Sequence, residues 1–562
     1  MKVSDYVASF LHAQGVKFVF EVVGGMTTHL VDSIYRAGAV RLISMHHEQA
    51  AAFAADVAAR LTGIPGVAMA TSGPGAVNLL AGVGTCYFDS SPAVFITGQV
   101  NRSELKGSRR VRQLGFQETD IVSMARPITK ATWQVESPEE VPELLEEAFR
   151  VALSGRRGPV LLDIPMDVQR ADIAVKEAHP ISAIERPKPD PRLAENLFAE
   201  LARAERPLLL AGGGVRAGEA TALFRSFVAA TRTPVVFSLM GVDALPYEDP
   251  LRVGMLGTYG NRWANLAVAR SDFLLVIGSR LDVRQTGSGP EAFRKGKTIF
   301  HVDVDPGEIN NRVTECIPIV ADTKAFLEAA VSGVRRQTFP NREEWLGEID
   351  HLRRRWPDVG ELRGTPGINP NAFMHMASQT LKPAAFVVDI GQHQMWAAQS
   401  LELGPEQLFV TSGGMGPMGF ALPGAVGAAL VAQNKPIVAI AGDGGFQLNI
   451  QELETLRYHK LPIKVIVMDN QCYGMVRQFQ ESYFEARYPG TRWGYSAPDF
   501  EEVARAYKIP SRTVEESGEA QAALRWLASD PAAPSLLRVV IDTNANAYPK
   551  IAFGKPITEM EP

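Results

Sequence analysis

Short apolar runs recur along the chain between longer stretches whose apolar positions return at helical spacing, a pattern of buried strands alternating with helices. The runs Phe18 to Val23, Arg41 to Met45, Gly66 to Ala70, Ala93 to Thr97 and Pro159 to Ile164 read as strands. Several stop at glycine-rich turns: Val23-Gly24-Gly25, Thr71-Ser72-Gly73-Pro74-Gly75 and Thr97-Gly98-Gln99. Residues 1–175 are therefore expected to form a doubly wound α/β domain. His179 to Arg192 holds four prolines and several charges and reads as an extended linker. A second α/β domain is expected over 190–335, with strands Pro207 to Ala211, Pro234 to Ser238, Phe273 to Ile277 and Thr298 to Val304. A polar, proline-containing connection follows from Arg336 to about Asn371, then a third domain over 372–545, with 546–562 left as a C-terminal tail. The predicted class is α/β with three doubly wound parallel-sheet domains.

The third domain carries the most informative stretch, Pro436 to Val476. An apolar run, Ile437 to Ala441, halts at a tight turn, Gly442-Asp443-Gly444. A helical pattern spans about Ile450 to His459, and a second run, Ile463 to Met468, halts at Asp469-Asn470. Such a crossover is almost always right-handed and makes its two strands parallel. Asp443 and Asn470 then emerge on one rim, where open α/β sheets bind ligands. A carboxylate and an amide oxygen suit a hard cation such as Mg²⁺, which takes further oxygens from water and phosphate. The glycines let backbone N–H groups approach that phosphate. The spacing predicts a metal–diphosphate site.

Composition narrows the classes. At 562 residues the chain exceeds one core, and roughly three to four domains are expected. A hydrophobic content of 46% and charged content of 21% are those of a globular protein. The net charge of −5 gives no electrostatic reason to expect nucleic acid; the pairs and triplets Arg109-Arg110 and Arg353-Arg354-Arg355 read as solvated faces. Cys86, Cys316 and Cys472 are too scattered for a disulfide framework or a CxxC metal site and are expected to be reduced thiols. Met1 to Gly15 lacks an apolar leader core, and nowhere do about 18 apolar residues run together. Neither export nor a membrane span is expected, and the location is expected to be cytoplasmic.

Glu48, in Met45-His46-His47-Glu48-Gln49, stands where a strand gives way to an alanine-rich helical stretch, Ala50 to Leu61. Locally it is a carboxylate favoured by a helix N-terminus, and HHEQ lacks the HExxH spacing of a zinc protease. In the central domain Gly212-Gly213-Gly214-Val215-Arg216-Ala217 satisfies GxGxxA, but the strand Pro234 to Ser238 ends without the acidic residue a nicotinamide ribose requires, which disfavours a dehydrogenase.

The GDG turn, 25 intervening residues and Asn470 followed by Tyr473-Gly474-Met475 resemble the diphosphate motif of thiamine-diphosphate (ThDP) enzymes, with Asp469 in place of the usual first asparagine. HHEQAAAFAADVAARLTG, ATSGPGAVNLLAG, ITGQV, GFQETDIV, GQHQMWAAQ, TSGGMGPMGFALPGAVGA and GMVRQFQ together resemble the acetohydroxyacid (acetolactate) synthases across nearly the whole chain. The resemblance implies a pyrimidine-binding first domain, a central Rossmann-like domain and a diphosphate-binding third domain. It implies that Glu48 hydrogen-bonds the aminopyrimidine ring, a charged acceptor making the stronger bond. By the same resemblance Met418 wedges the cofactor into its bent form beside Gly416. Gly391, Gln392 and His393 lie near the diphosphate with Gly442, Asp443, Gly444, Gly445, Tyr473, Gly474 and Met475. Asp443, Asn470 and the carbonyl of Cys472 hold Mg²⁺; Gln117, Phe116, Gly25 and Phe479 line the substrate end. Segments around Gly257, Arg280-Leu281-Asp282, Arg284 and Asp303, together with Gly212, Gly213 and Arg156, resemble the family's FAD-binding positions. Glu48 and the diphosphate domain of such enzymes meet across subunits, implying a homodimer or homotetramer.

The expected reaction decarboxylates pyruvate and passes the two-carbon unit to a carbonyl acceptor, the ring acting as electron sink. Departures gather at the substrate end: Val22-Val23 replaces Tyr-Pro, Met166 replaces a lysine, and Phe479 replaces a tryptophan. GGMTTHLVDS and GFQETDIVSMARPITK also resemble carboligases that add an acetyl unit to a keto sugar, leaving the acceptor open. A simple 2-oxo acid decarboxylase, a flavin oxidase and a cofactor-binding scaffold without turnover are the other readings.

Overall fold

The computed structural model describes residues 1–175, 177–334, 337–433 and 435–561; the boundary drawn at 335 and 336 lies outside the described residues. Three parallel six-stranded sheets run along the chain, each flanked by helices. Numbered within each domain, the strands lie in the order 2-1-3-4-6-5 in the first and third sheets and 6-5-4-1-2-3 in the central one. In the first and third sheets the order reverses about the first strand, which opens a crevice at the strand carboxyl ends.

The strands expected from apolar runs are present, for example Gly66–Ala70, Phe273–Ile277 and Ile463–Asp469, all fully buried. Of the strands not anticipated, Ala131–Gln134, Arg252–Met255, Ile317–Val320, Leu408–Val410 and Ser511–Val514 all lie at sheet edges. They are short, and several keep one side in solvent, so no apolar run announces them.

Two further expectations need correction. The connection over 336–371 contains a helix, Glu343–Arg355, whose Trp345, Ile349 and Leu352 pack under Trp263 and Ala264 of the central domain. Its charged outer face masked an apolar stripe at helical spacing. The tail over 546–562 folds back as an antiparallel pair, Lys550–Ile551 with Met560–Glu561, and buries Ile551 and Ile557 in the same cluster.

First and third domains are joined by helix on helix. The alanines of Glu48–Thr62 (EQAAAFAADVAARLT) favour helix and let a neighbour approach closely. That neighbour is Ala421–Val431, and a Cβ added to its Gly427 would fall 2.1 Å from the carbonyl oxygen of Ala54. Phe53, Val57, Phe420 and Val426 complete a shared core. The crossing is pinned at one end by a buried charge network. Arg60 donates to Asp56 Oδ1 (2.7 Å), to Asp89 Oδ2 (3.0 Å) and to the Thr411 carbonyl (2.7 Å).

Candidate functional site

At the carboxyl rim of the third sheet, Ile437–Gly442 passes straight into a helix, Asp443–Leu448. The expected turn at Gly442-Asp443-Gly444 is thus a helix start, with Asp443 as its first residue. Two more helices begin beside it: Gln392–Ser400 and Gly474–Tyr483. Their convergence is set by close contacts that only glycine permits. A Cβ on Gly474 would fall 1.9 Å from Gln392 Oε1, one on Gly444 2.4 Å from the Tyr473 ring, and one on Gly442 3.0 Å from the His393 ring. Three helix starts thus lie side by side, and helix N-termini favour anions.

Beside it lies a cluster of oxygens. The side-chain oxygen of Asn470 faces Asp443 Oδ1 at 3.2 Å and the Cys472 carbonyl at 2.9 Å. Turning the amide over would make hydrogen bonds of these contacts, but it would set the oxygen against Gln392 Oε1, which now accepts from Asn470 Nδ2 at 3.2 Å. Acceptors crowding acceptors are what cation ligands look like: an octahedral ion with bonds of about 2.0–2.1 Å has ligand oxygens about 2.9 Å apart. The residues therefore fit Mg²⁺. The donors are one carboxylate, one amide and one carbonyl, hard ligands for a hard ion; among the described residues no three His, Cys, Asp or Glu group together as a metal site.

Electrostatics agree. Burial pushes the Asp443 carboxyl up to about 7, against a 2.8 Å hydrogen bond from Tyr495 Oη that lowers it. Tyr495 gave no signal in the sequence, being remote in order. Burial drives His393 down to about 3, so its ring is neutral packing against Gly391 and Gly442, with Nε2 unpartnered. The Cys472 thiol is raised to about 11 by burial; only its backbone belongs to the cage.

Met418 rides half-buried on a loop held at both ends. Gly416 (φ +68°) and Gly419 (φ +84°) bracket it in left-handed conformations. Asp89 Oδ1 accepts from Gly413 N (3.1 Å) and Gly414 N (2.6 Å), while Asp389 Oδ1 accepts from Gly419 N at 3.0 Å. Asp389, raised to about 6 by burial, was not anticipated; a buried acid ending a strand was its only trace.

Glu48 opens its helix with His47 as cap, and its Oε2 accepts from Asn78 Nδ2 at 2.9 Å. Gly75 packs on its other oxygen. Both neighbours belong to the first domain, and Glu48 makes no described hydrogen bond to the Asp443–Asn470 cage of its own chain. Gln117 (φ +65°) packs on Gly73 next to this carboxylate. Phe116 is 78% exposed, Phe479 46%, and Gly25 faces open space, so the substrate end of a single chain is uncovered.

A separate cavity of about 500 Å³ lies among the three domains. Arg156, Gly213, Arg280, Asp282, Arg284 and Asp303 line it, with Met395 and Gly413. Gly212 and Gly257 do not line it but shape its floor: a Cβ on Gly212 would meet the Gly278 carbonyl at 2.0 Å, and one on Gly257 the Arg284 carbonyl at 2.6 Å. Arg156 is held by Ser90 Oγ (2.9 Å), Asp305 and Glu308, and Asp303 is raised to about 6 by burial.

Three parallel sheets with a cation cage at converging helix ends define a thiamine diphosphate-dependent enzyme. Comparison with known proteins agrees. The thiamine pyrophosphate enzyme N-terminal TPP binding, central and C-terminal TPP binding domains match residues 1–124, 194–330 and 389–539. The chain is 37% identical to the acetolactate synthase isozyme 2 large subunit of Escherichia coli, covering 100% of this chain and 99% of that protein. It is 36% identical to a probable acetolactate synthase large subunit of Methanocaldococcus jannaschii, over 100% and 95%. The chain belongs to the thiamine pyrophosphate enzyme family, and within it to the acetolactate synthase-like carboligases that form carbon–carbon bonds.

Proposed function

We propose that the protein decarboxylates pyruvate with ThDP and Mg²⁺ and transfers the two-carbon unit to a carbonyl acceptor. The observation that carries this reading is the oxygen cage of Asp443, Asn470 and the Cys472 carbonyl at the meeting of three helix N-termini. Asp443 and Asn470 would hold Mg²⁺, and the N–H groups opening the helices at Gln392, Asp443 and Gly474 would hold the diphosphate. When bound, ThDP supplies a thiazolium that accepts the electron pair left as CO₂ departs. Glu48, oriented by Asn78, would accept a hydrogen bond from the aminopyrimidine ring and so favour loss of the proton from the reactive carbon. Met418, on its pinned loop, would pack against the cofactor.

No described hydrogen bond joins Glu48 to the cage of its own chain, and in this reading the working site is completed by a second copy, as a homodimer or a homotetramer. In this division residues 1–175 bind pyrimidine, 190–335 a flavin and 372–545 diphosphate. FAD suits the three-domain cavity by its size, by its arginines and by the close glycine approaches around it; a yellow protein with flavin absorbance after purification supports this, and a colourless, fully active one refutes it. Transfer to a keto sugar is the second reading, favoured by the open surface at Gly25 and Phe116. The deciding experiment incubates the protein with ¹³C-pyruvate, ThDP and Mg²⁺, with and without acceptors, and identifies products by NMR. No CO₂ release with any acceptor overturns the assignment.

A further inference from the structure

Beside Gln117 lies a loop that none of the roles above uses. Residues 106–112 place Lys106, Arg109, Arg110 and Arg112 within one short segment of a chain whose net charge is −5. None of the four appears among the described ion pairs, although nearby Arg102 is paired with Asp167 at 2.8 Å. Arg109 donates only to carbonyls, Leu105 at 3.1 Å and Lys106 at 3.4 Å.

The two acids at hand are already spent on the backbone. Glu118, 8% exposed, accepts from Lys106 N at 2.6 Å through one oxygen and from Leu114 N at 2.7 Å through the other. Glu104 accepts from Asn101 N at 3.1 Å and Asn101 Nδ2 at 2.7 Å. Gln113 Nε2 donates to the Glu118 carbonyl at 3.0 Å and Gly115 N to the Glu104 carbonyl at 2.9 Å. The loop is thus closed at its base by a buried carboxylate; Arg109, Arg110 and Arg112 are exposed, Lys106 is half-buried, and none of them is in a described ion pair.

Its position gives that charge a purpose. The closed base runs directly into Phe116 and Gln117, and Gln117 is held at φ +65°, a conformation rare for a residue with a side chain. Gln117 packs on Gly73, and Gly75, two residues on, packs on Glu48 Oε1. The cationic loop thus leads in sequence into Gln117, which packs on the Gly73–Gly75 turn that also approaches Glu48.

We propose that this loop anchors a phosphoryl group carried by the acceptor, so that the acceptor is a phosphorylated carbonyl compound. The inference rests on the carboligase reading and narrows its open half. Pyruvate carries a single carboxylate and needs one cationic partner. Three guanidinium forks and an ammonium suit the multiple oxygens and charge of a phosphate ester or diphosphate.

The test uses the holoenzyme saturated with ThDP and Mg²⁺, which fills the diphosphate site. At fixed pyruvate, kcat/KM is compared for glyceraldehyde, glyceraldehyde 3-phosphate and a nucleoside-diphosphate-linked hexulose; the last two distinguish a monoester from a diphosphate. A phosphorylated acceptor is expected to be preferred by at least about tenfold, the value of one charged contact, and less so as salt is added. In the Arg109→Ala/Arg110→Ala/Arg112→Ala variant that preference should collapse through KM, and Lys at the same three positions should restore part of it. Equal use of phosphorylated and plain acceptors by the wild type overturns the inference, as does a preference that survives the triple alanine change. Loss of the native assembly in that variant, read by light scattering, also overturns it and assigns the loop to a contact between copies. Absence of CO₂ release with every acceptor would instead sink the carboligase reading itself.

Discussion

Replacing Arg60 by methionine keeps an apolar stem of similar length and deletes the guanidinium that binds the first domain to the third. Arg60 is 7% exposed at its side chain, and its partners Asp56 and Asp89 are 0% and 1% exposed. Removing one member of a buried ion cluster costs about 3–5 kcal/mol because the remaining charges stay buried. Burial already pushes the Asp56 carboxyl up in spite of Arg60. Without the guanidinium Asp56 takes up a proton, which holds the loss near about 3 kcal/mol. For a unit of about 150–250 residues, the size of the first domain, about 2–4 °C is lost per kcal/mol, so the midpoint of that domain's unfolding step should fall by roughly 6–12 °C. The same change frees the Thr411 carbonyl and loosens Asp89, which holds Gly413 and Gly414 of the Met418 loop. The ThDP concentration for half-maximal activity should therefore rise. Thermal unfolding by circular dichroism and a ThDP titration of CO₂ release measure the two effects. Adding Asp56→Asn should return part of the lost stability. A midpoint within about 2 °C of wild type with unchanged ThDP dependence would refute the assignment of Arg60 as the pin.

Three other expectations follow from the site. Glu48→Gln should retain ThDP binding, measured by fluorescence quenching, while the rate of CO₂ release drops about 10²–10⁴-fold. Asn470→Leu removes one oxygen of the cage and its bond to Gln392, so Mg²⁺-dependent ThDP affinity should fall beyond the roughly 10–100-fold typical of outer-shell partners. His375 is lowered by burial but raised overall by Asp358 at 2.9 Å and Glu402 at 2.8 Å, which outweigh it. Its contribution to stability is complete below the unfolded value of about 6.5 and is lost as pH rises through the raised folded value. The melting point should decline as pH rises above about 6.5, and His375→Gln should abolish the step; an identical pH profile in the variant would remove the residue from the account.

The meeting of Asp443 and Asn470 was legible because they follow two long buried strands, where a halted apolar run marks the position of each side chain. Its support was not. Tyr495 reaches Asp443 from a loop remote in sequence, and Asp389 and Asp89 act through backbone N–H groups of a glycine-rich loop, a role no side-chain pattern betrays. Edge strands such as Ile317–Val320 hid because half their residues face water. The helix Glu343–Arg355 hid because charge dominates its composition, although Trp345, Ile349 and Leu352 keep the helical spacing. Of the positions expected to hold a flavin, Arg156, Arg280 and Asp303 line the cavity, whereas Gly212 and Gly257 make close backbone approaches and do not line it.

Glu48 sits with Asn78 and Gly75 and makes no described hydrogen bond to the cage of its own polypeptide, and a site shared between two copies, as proposed above, has a genetic corollary. Two defective alleles, one altered at Glu48 and the other at Asn470, should complement each other. In a two-fold hybrid, one crevice inherits both lesions and the other inherits neither. Co-refolded equal mixtures of the two inactive proteins should regain about a quarter of the parental rate by random pairing, whereas a crevice built within one polypeptide would regain none.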